Sequence, residues 1–287
     1  MSRIAYVNGQ YVPHARAAVH IEDRGYQFAD AIYEVCEIKE GYIIDMGPHL
    51  DRLDRSLHEL RITAPMARMP LIRILREVAN LNRVRNGLVY IQISRGVAAR
   101  EHYFPSKPVR ASIVVTAKRI DPRTLEAKAD NGIKVISVPE NRWERVDIKT
   151  VGLLPNVLAK QAAREAGATE AWFVDNSGMV TEGGSTNAWI LTKDNRLVTR
   201  QADCGILRGI TREGVLQVAQ KRQIIVEERS FSIREAQEAV EAFVTSASAL
   251  VMPVVEIDKV LIGDGRPGHL SRELRKEFHE RAERTKL

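Results

Sequence analysis

Alternating apolar and polar positions predict a series of short strands in the first part of the chain. Residues 3–8 and 10–12 alternate on either side of Asn8-Gly9, a dipeptide typical of a two-residue hairpin turn. The same period predicts four further strands, over residues 32–38, 42–45, 87–94 and 110–117. This part of the chain is therefore expected to be rich in β-structure.

A spacing of three and four residues between apolar positions predicts two helices among these strands. The first covers residues 48–61, and its apolar stripe consists of Leu50, Leu53, Leu57 and Leu60. The second covers residues 69–83. Strands packed by two helices form an α+β module, so residues 1–118 are predicted to be a small α+β domain.

The rest of the chain is predicted to form a second, larger domain over residues 132–287. Residues 119–131 are polar, contain Pro122 and lack a clear apolar period, so they are predicted to be an interdomain linker. Beyond this linker, helices are predicted over 155–166, 211–222, 232–239 and 267–284. Strands are predicted over 132–138, 170–175, 188–192, 196–199, 223–228, 241–245, 253–257 and 260–262.

The composition is that of an ordinary globular protein. Of the 287 residues, 44% are hydrophobic and 28% are charged. No apolar run reaches the ~18 residues of a membrane span, and the turn at Asn8-Gly9 comes too early for a signal peptide. Cys36 and Cys204 have no CxxC spacing, so we expect reduced thiols in a cytoplasmic protein without a structural metal site.

The net charge of +6 allows a nucleic-acid partner but does not favour one. The arginines are interspersed with acids, as over residues 272–277, and no basic block with interleaved aromatic residues occurs. Solvated faces of mixed charge explain this balance better, and a modest preference for anionic substrates is also compatible. A basic nucleic-acid-binding protein stays as the non-enzyme alternative, and it predicts steeply salt-dependent DNA binding.

Several single residues suggest chemistry, although each also has an ordinary structural explanation. Lys149 alone would usually be a solvated surface charge. Arg100 and His102 share one loop and could bind a carboxylate or simply be solvated. Tyr33 could be a core residue of its strand or a functional one. Glu182 stands before a glycine pair, where it could be solvated or face a planar ligand.

Two turns are suited to an anion. Gly209, Ile210 and Thr211 open a predicted helix whose first N–H groups could bind a phosphate, although an ordinary helix start explains them as well. Ser246 and Ala247 lie among small residues that could form a backbone anion nest or a plain turn. Neither stretch matches a GxxxxGK[ST] or GxGxxG pattern, so no nucleotide-binding loop is predicted.

Six blocks together resemble the D-amino acid aminotransferases, a family of fold-type IV pyridoxal-phosphate (PLP) enzymes. The blocks are Glu22–Phe28, His49-x-x-Arg52-Leu53, Arg100-x-His102 with Phe104-Pro105, Asp147-Ile148-Lys149, Thr181-Glu182-Gly183 and Gly209-Ile210-Thr211-Arg212. The resemblance extends over nearly the whole chain. It implies an α+β fold of two domains, with a small α/β N-terminal domain, a larger C-terminal pseudo-barrel domain and the cofactor between them.

The resemblance also implies the roles of the cofactor-binding residues. Lys149 would be the catalytic residue, which holds PLP as a Schiff base and moves the proton in a 1,3-transfer. Glu182 would pair with the pyridine nitrogen and make the ring an electron sink. Arg52 would hold the phosphate together with the groups around Ile210 and Thr211 and the turn at Ser246 and Ala247. The full implied cofactor-binding set is Arg52, Glu182, Leu207, Gly209, Ile210, Thr211, Ser246 and Ala247. Threonine is usual in the family where Ala247 stands, and the missing hydroxyl removes one hydrogen bond, worth about 1 kcal/mol.

Tyr33, Arg100 and His102 resemble the carboxylate trap of the D-specific members. In that family the arginine and histidine come from a loop of the partner subunit, so a homodimer is implied. The position of the trap relative to Lys149 decides which enantiomer presents its Cα–H bond to the amine. The implied substrates are D-amino acids such as D-alanine and D-glutamate, with a 2-oxo acid as acceptor. No nucleic-acid or membrane partner is expected.

Three other classes of PLP enzyme remain as alternatives. A branched-chain L-amino acid aminotransferase shares the cofactor site but should lack the Arg100-x-His102 pair. An (R)-amine transaminase has substrates that need no carboxylate anchor, and an aminodeoxychorismate lyase shares the lysine but eliminates pyruvate. Pyruvate formation from D-alanine with 2-oxoglutarate distinguishes these classes.

Overall fold

The computed structural model describes residues 3–287, which form two compact units. Unit 1 comprises the described residues up to Pro122, together with Ile148–Gly152 and Glu283–Leu287. Unit 2 comprises Arg123–Asp147 and Leu153–Ala282. The chain therefore passes between the two units four times.

The described residues form sixteen strands and eight α-helices. The strands are β1 (Ile4–Val7), β2 (Gln10–Pro13), β3 (Ala31–Lys39), β4 (Tyr42–Ile44), β5 (Gly87–Ser94), β6 (Ser112–Arg119), β7 (Ile133–Pro139), β8 (Glu170–Val174), β9 (Val180–Gly183), β10 (Asn187–Leu191), β11 (Leu197–Thr199), β12 (Val226–Glu228), β13 (Glu241–Ser246), β14 (Leu250–Ile257), β15 (Val260–Leu261) and β16 (Arg284–Lys286). The helices are α1 (Arg24–Phe28), α2 (Met46–Glu59), α3 (Arg68–Leu81), α4 (Pro122–Asn131), α5 (Leu154–Glu165), α6 (Ile210–Lys221), α7 (Ile233–Gln237) and α8 (His269–Arg281). None of these helices combines the length and the hydropathy needed to cross a lipid bilayer.

Most of the predicted elements are confirmed to within a few residues. In the predicted hairpin, φ is 48° at Asn8 and 106° at Gly9, and such positive angles are what a two-residue turn between twisted strands needs. The sequence pattern does not predict α1 or β16, because α1 has 5 residues and β16 has 3, too few to establish a period. The predicted helix over 267–284 accordingly ends at Arg281, before β16 begins.

The range 119–131, predicted as an interdomain linker, contains the boundary between the two units at Pro122, and most of it, Pro122–Asn131, forms α4. Only Leu125 and Ala129, which are one helical turn apart, pack against the core of unit 2. Two apolar positions are too short a stripe for the helical period to stand out from a polar segment.

The two units also differ from the predicted domains in two segments of the range 132–287. Residues 148–152 belong to unit 1, because Ile148 is buried in its core and Thr150 pairs with Ile32 of β3. Residues 283–287 belong to unit 1 as well, because β16 pairs with β4. Both segments join unit 1 through contacts with residues that are remote in sequence, which a local pattern does not report.

Unit 1 contains one antiparallel sheet in the order β16-β4-β3-β5-β6-β1-β2. The apolar stripes of α2 and α3 share a core with the buried face of this sheet. On β3, that face carries Ile32, Glu34, Cys36 and Ile38, in the alternation that a strand imposes. A carboxylate on an apolar face requires a counter-charge and hydrogen bonds, and α2 provides both for Glu34.

Unit 2 contains a nine-stranded mixed sheet, in which eight strands follow the order β12-β11-β10-β13-β14-β7-β8-β9 and β15 pairs with β14. β9 and β10 lie five positions apart in this order, which corresponds to roughly 24 Å in a flat sheet. The connection from Gly183 to Asn187 spans at most about 14 Å. The sheet must therefore curl on itself, which confirms the predicted pseudo-barrel and puts Glu182 next to the closing turn.

Candidate active site

Lys149 lies on a segment that continues the sheet of unit 1. β4 pairs with β3 only near Ile38, and the segment around Lys149 runs beside the start of β3 on the same side. The Tyr33 N–H donates to the Lys149 carbonyl at 3.0 Å, and the Val151 N–H donates to the Ala31 carbonyl at 3.1 Å. These hydrogen bonds fix the main chain on both sides of the Lys149 side chain.

The Lys149 side chain is half-buried and contacts Tyr33. Its Nζ lies 4.3 Å from the centroid of the Tyr33 ring. Within residues 3–287 this amine makes no hydrogen bond or ion pair. A half-buried amine that no acid neutralises is suited to covalent chemistry, unlike a lysine held in a surface ion pair.

The ring of Tyr33 packs against a second tyrosine, while its hydroxyl is available to a ligand. The ring stacks on that of Tyr90 with a centroid distance of 5.7 Å and an interplanar angle of 29°. The Tyr90 hydroxyl donates to Gln92 Oε1 at 2.8 Å, and burial raises the pKa of Tyr90 to about 12. The Tyr33 hydroxyl makes no hydrogen bond to any residue that the structure describes. Tyr33 therefore differs from a core tyrosine, whose hydroxyl finds a partner.

Arg52 is held in one orientation by a buried carboxylate. Its Nε donates to Glu34 Oε1 at 2.7 Å and its Nη2 to Glu34 Oε2 at 2.9 Å, while His49 Nδ1 lies 2.8 Å from Oε2. Burial opposes ionisation of Glu34, but Arg52 and His49 outweigh it and hold the pKa of Glu34 well below its ordinary value. A guanidinium fixed in this way is pre-organised to bind a phosphate.

Replacing Glu34 with glutamine is expected to lower the free energy of unfolding by about 3–5 kcal/mol at neutral pH, because Arg52 would stay buried without its counter-charge. The folded-state pKa of Glu34 lies below its unfolded value of about 4.3, so the carboxylate stabilises the fold above that value. This contribution is lost as the pH falls through the unfolded value towards the folded one. The difference in urea unfolding between E34Q and wild type should therefore shrink from about pH 5 to about pH 3.

The control for this measurement is Glu77→Gln, which changes an exposed glutamate on α3 of the same unit. It should alter the free energy of unfolding by no more than about 0.5 kcal/mol. Equal stability of E34Q and wild type at neutral pH would contradict the role of Glu34 as the counter-charge of Arg52.

Arg100 and His102 lie in the exposed loop that follows β5, and both contact the ring of Phe28. Arg100 Cζ is 5.2 Å from the ring centroid, and the His102 ring is 5.5 Å from it at an angle of 57°. Neither side chain forms a hydrogen bond or ion pair with any described residue. The structure thus brings the two predicted carboxylate ligands to one aromatic ring.

In unit 2, Glu182 is buried at the end of β9 and accepts hydrogen bonds from three sides. Arg142 Nη1 donates to its Oε1 at 2.5 Å. The Asn187 side-chain amide donates to Oε2 at 2.9 Å, and the Leu207 N–H donates to the same oxygen at 3.1 Å. The Asn187 amide also donates to the Leu207 carbonyl at 2.8 Å. The carboxylate is therefore fixed in position by residues from three separate segments.

Arg142 is the main site residue that no sequence pattern indicates. Its Nε and Nη2 donate to the two carboxylate oxygens of Glu140 at 2.9 and 2.6 Å, and its Cζ lies 4.4 Å from the centroid of Phe173. Burial opposes ionisation of Glu140, but hydrogen bonds from Arg142 and Thr181 hold the pKa of Glu140 below its ordinary value. Glu140 thus fixes Arg142, and Arg142 in turn holds Glu182.

The start of α6 has the properties of an anion site. Its N-cap is Gly209, and no side chain caps the first N–H groups of the helix. A Cβ at position 209 would lie 2.1 Å from Asn187 Oδ1, so only glycine fits beside the residue that holds Glu182. Ile210 and buried Thr211 form the first turn. Uncapped N–H groups at the positive end of a helix dipole favour a bound anion.

Ser246 and Ala247 lie at the end of β13, in a tight turn that Arg275 supports. Ser246 Oγ accepts the Ala249 N–H at 3.1 Å. Arg275 Nη1 donates to the Ala249 carbonyl at 2.8 Å. The Ser246 hydroxyl therefore stabilises the turn itself, and Ala247 brings only its main chain to the predicted site.

The side chains present fit PLP by type. An aldehyde needs a primary amine without an ion-pair partner, which Lys149 offers. Phosphates bind to fixed cations, such as Arg52 in unit 1, and to helix N–H groups, such as those at Thr211 in unit 2. A protonated pyridine nitrogen needs a carboxylate, which Glu182 offers.

The chain is similar in sequence to known aminotransferases. The family described as amino-transferase class IV matches residues 31–257. The chain is 37% identical over 276 residues to the D-alanine aminotransferase of Staphylococcus haemolyticus, covering 96% of each protein. It is 38% identical over 265 residues to the D-alanine aminotransferase of Bacillus licheniformis, covering 92% of each.

The fold is similar to those of solved aminotransferase structures. The branched-chain amino acid aminotransferase of T.th. with pyridoxamine 5′-phosphate superimposes with a TM-score of 0.88 at 26% identity, covering 98% of this chain and 94% of the other. The branched-chain amino acid aminotransferase of Escherichia coli superimposes with a TM-score of 0.89 at 22% identity and the same coverage, which shows a shared fold.

Proposed function

The chain belongs to the class IV aminotransferases, and from this premise we propose that it transfers the amino group of D-amino acids to 2-oxo acids with PLP as cofactor. The two relatives of 37% and 38% identity are both named D-alanine aminotransferase, which supports D-alanine as a donor and pyruvate as its product. The related structure with pyridoxamine 5′-phosphate supports the cofactor. Bound PLP supplies an electron sink for the bond that breaks at the substrate Cα.

The observation that carries the proposal is the Lys149 amine, which lies 4.3 Å from the Tyr33 ring centroid without an acidic partner in the described chain. Its Nζ would bind the cofactor covalently and, once released by the substrate, take the proton from the substrate Cα. The backbone hydrogen bonds to β3 hold that base at a fixed position, which such a transfer requires. Arg52, oriented by Glu34, would bind the phosphate.

In unit 2, residues are assigned to the cofactor ring and to its phosphate. Glu182 would accept a hydrogen bond from the protonated pyridine nitrogen and keep it protonated, and its own hydrogen bonds from Arg142 and Asn187 support that role. The remaining proposed phosphate and ring contacts are Leu207, Gly209, Ile210, Thr211, Ser246 and Ala247. A helix start without a side-chain cap supports the contribution of the main chain.

Substrate recognition is assigned to Tyr33, Arg100 and His102. An arginine binds a carboxylate through two parallel hydrogen bonds, so Arg100 would fix the orientation of the amino acid. The Tyr33 hydroxyl and His102, which form no hydrogen bonds within residues 3–287, would complete the contact. The enzyme would prefer the enantiomer whose Cα–H bond points to Lys149 when its carboxylate is bound in this way.

We also propose a homodimer in the cytoplasm. Leu154, Val157 and Leu158 share one face of α5 and are 68%, 59% and 58% exposed, an apolar surface that a second copy of the chain would cover. Cys36 and Cys204 are both free thiols, as a reducing compartment favours.

The test is pyruvate formation from D-alanine with 2-oxoglutarate by the purified PLP-bound protein. We expect kcat/KM for D-alanine to exceed that for L-alanine by about 100-fold or more, because a fixed carboxylate contact presents only one enantiomer correctly. L-leucine and (R)-1-phenylethylamine are assayed as donors in parallel. Turnover of L-leucine without turnover of D-alanine would replace the proposal with the branched-chain alternative, and turnover of the amine alone would indicate an (R)-amine transaminase.

A further inference from the structure

The Glu22–Phe28 block contacts the loop that carries Arg100 and His102. Arg24 is 3% exposed, and its Nη1 donates to the carbonyl of Glu101 at 2.6 Å. Glu101 stands between Arg100 and His102 in the chain. One buried guanidinium therefore binds the main chain at the centre of an exposed loop.

Backbone contacts tie the start of the same loop to the same block. The Arg24 N–H donates to the Gly96 carbonyl at 2.9 Å, and the Ala98 N–H donates to the Glu22 carbonyl at 3.3 Å. An isolated antiparallel bridge lies between these bonds. The loop is thus anchored at its beginning, and Arg24 adds an anchor further along.

Asp30 fixes the Arg24 side chain. Its Oδ2 accepts from Arg24 Nε at 2.8 Å and from Arg95 Nε at 2.7 Å, and its Oδ1 accepts from Arg95 Nη2 at 3.0 Å. A carboxylate shared by two buried guanidinium groups has little freedom to move. Removal of the Arg24 guanidinium would leave Asp30 with Arg95, so the ion cluster would keep one cation.

Phe28 provides the surface on which both side chains of the loop rest. Its ring centroid lies 4.7 Å from Arg24 Cζ, 5.2 Å from Arg100 Cζ and 5.5 Å from the His102 centroid. Among the described residues, Arg100 makes its cation–π contact and His102 its ring contact with this one side chain. A cation held over an aromatic ring loses part of its motion before a ligand arrives.

We infer that Arg24 and Phe28 are positioning residues that set the affinity of the enzyme for the α-carboxylate of its amino-acid substrate. This inference rests on the proposed function, in which Arg100 and His102 bind that carboxylate. Exposed arginine and histidine side chains on a mobile loop would lose conformational entropy on binding, and a loop already held in place loses less. Neither positioning residue is required to touch the substrate.

The experiment measures carboxylate binding apart from turnover. Propionate is a carboxylate without an amino group, and its Kd for the PLP-bound enzyme is obtained by calorimetry. Phe28→Leu is expected to raise this Kd and the KM for D-alanine by about tenfold, with kcat changed by less than about twofold. Arg24→Lys keeps the charge but not the fork geometry, and it should shift the same two constants in the same direction.

Two controls separate loop position from general damage. Arg85→Lys changes an exposed arginine of the same unit that also donates to a backbone carbonyl, that of Glu40 at 3.0 Å, and it should leave both constants unchanged. Hydroxylamine attacks the cofactor as an amine nucleophile without a carboxylate, so its reaction rate should be the same in Phe28→Leu and wild type. Thermal unfolding verifies that each variant is folded.

Arg100→Ala makes the possible failures distinguishable. If it weakens propionate binding while Phe28→Leu and Arg24→Lys bind as wild type does, the inference is overturned and the proposed function stands. If Arg100→Ala also binds propionate as wild type does, the substrate role of Arg100 is wrong and the inference falls with it. A loss of kcat or of cofactor in Phe28→Leu with an unchanged propionate Kd likewise overturns it.

Discussion

Replacing Lys149 with alanine is expected to lower kcat for transamination between D-alanine and 2-oxoglutarate by on the order of 10⁴-fold or more. The variant loses the amine that binds the cofactor covalently and the base that moves the Cα proton, because one atom performs both tasks. Pyruvate release measures the rate. Absorbance measures the attachment, since the band expected near ~410–420 nm depends on the bond to this lysine.

The control for Lys149→Ala is Lys118→Ala, which removes an exposed lysine from β6 of the same unit and should keep both the rate and the band. Ethylamine in the buffer provides a sharper test, because a free amine can take the place of the missing base. Partial recovery of turnover with added ethylamine is expected for Lys149→Ala alone. Turnover by Lys149→Ala at half the wild-type rate or more would show that the reaction does not use this residue.

Replacing Glu182 with glutamine is expected to lower kcat by about 10²–10³-fold, because a neutral amide does not keep the pyridine nitrogen protonated as charge develops on the ring. Folding should suffer far less, by about 1–2 kcal/mol, since the amide can still accept a hydrogen bond from Asn187. Arg142 would also keep its pairing with Glu140 at 2.6 Å. The measurements are kcat with D-alanine and urea unfolding of the same samples.

Glu256→Gln is the matched control for Glu182→Gln. Glu256 is also a strand glutamate of unit 2 paired with a cation, since its Oε2 lies 2.8 Å from Lys134 Nζ. Its replacement should leave kcat unchanged at a similar or smaller cost in stability, because Lys134 is exposed. A wild-type kcat in Glu182→Gln would remove this residue from the proposed chemistry.

Periodic elements could be predicted because their signals are local. The leucine stripe of α2 and the alternation along β3 each follow from residues within a few positions of one another. The placement of Lys149 could not be predicted in this way. The segment that carries it joins unit 1 by pairing with β3. The apolar pattern of either segment does not indicate that it pairs with the other.

Of the charged residues in the candidate site, some are indicated by a local pattern and others only by the fold. Glu34 occupies the same strand face as Ile32 and Cys36, so the alternation alone marks it as a buried carboxylate that needs a cation. Arg142 offers no such signal, because the carboxylate that it holds stands 40 positions away. The motif around Glu182 indicated the residue, and only the fold reveals what fixes it.

The pairing of β16 with β4 has a consequence for how the protein is made. The Asp45 main chain and side chain bind Glu283 across 238 sequence positions, so this edge of the first sheet closes only after the whole of unit 2 has been translated. Until then β4 presents open N–H and C=O groups, which can pair with another growing chain. The stretch around Lys149 reaches β3 earlier, but still long after β3 has left the ribosome. Segments of unit 1 are therefore translated before and after unit 2. The interval before Glu283 emerges is when β4 of a nascent chain is most exposed to mispairing with its neighbours on a polysome.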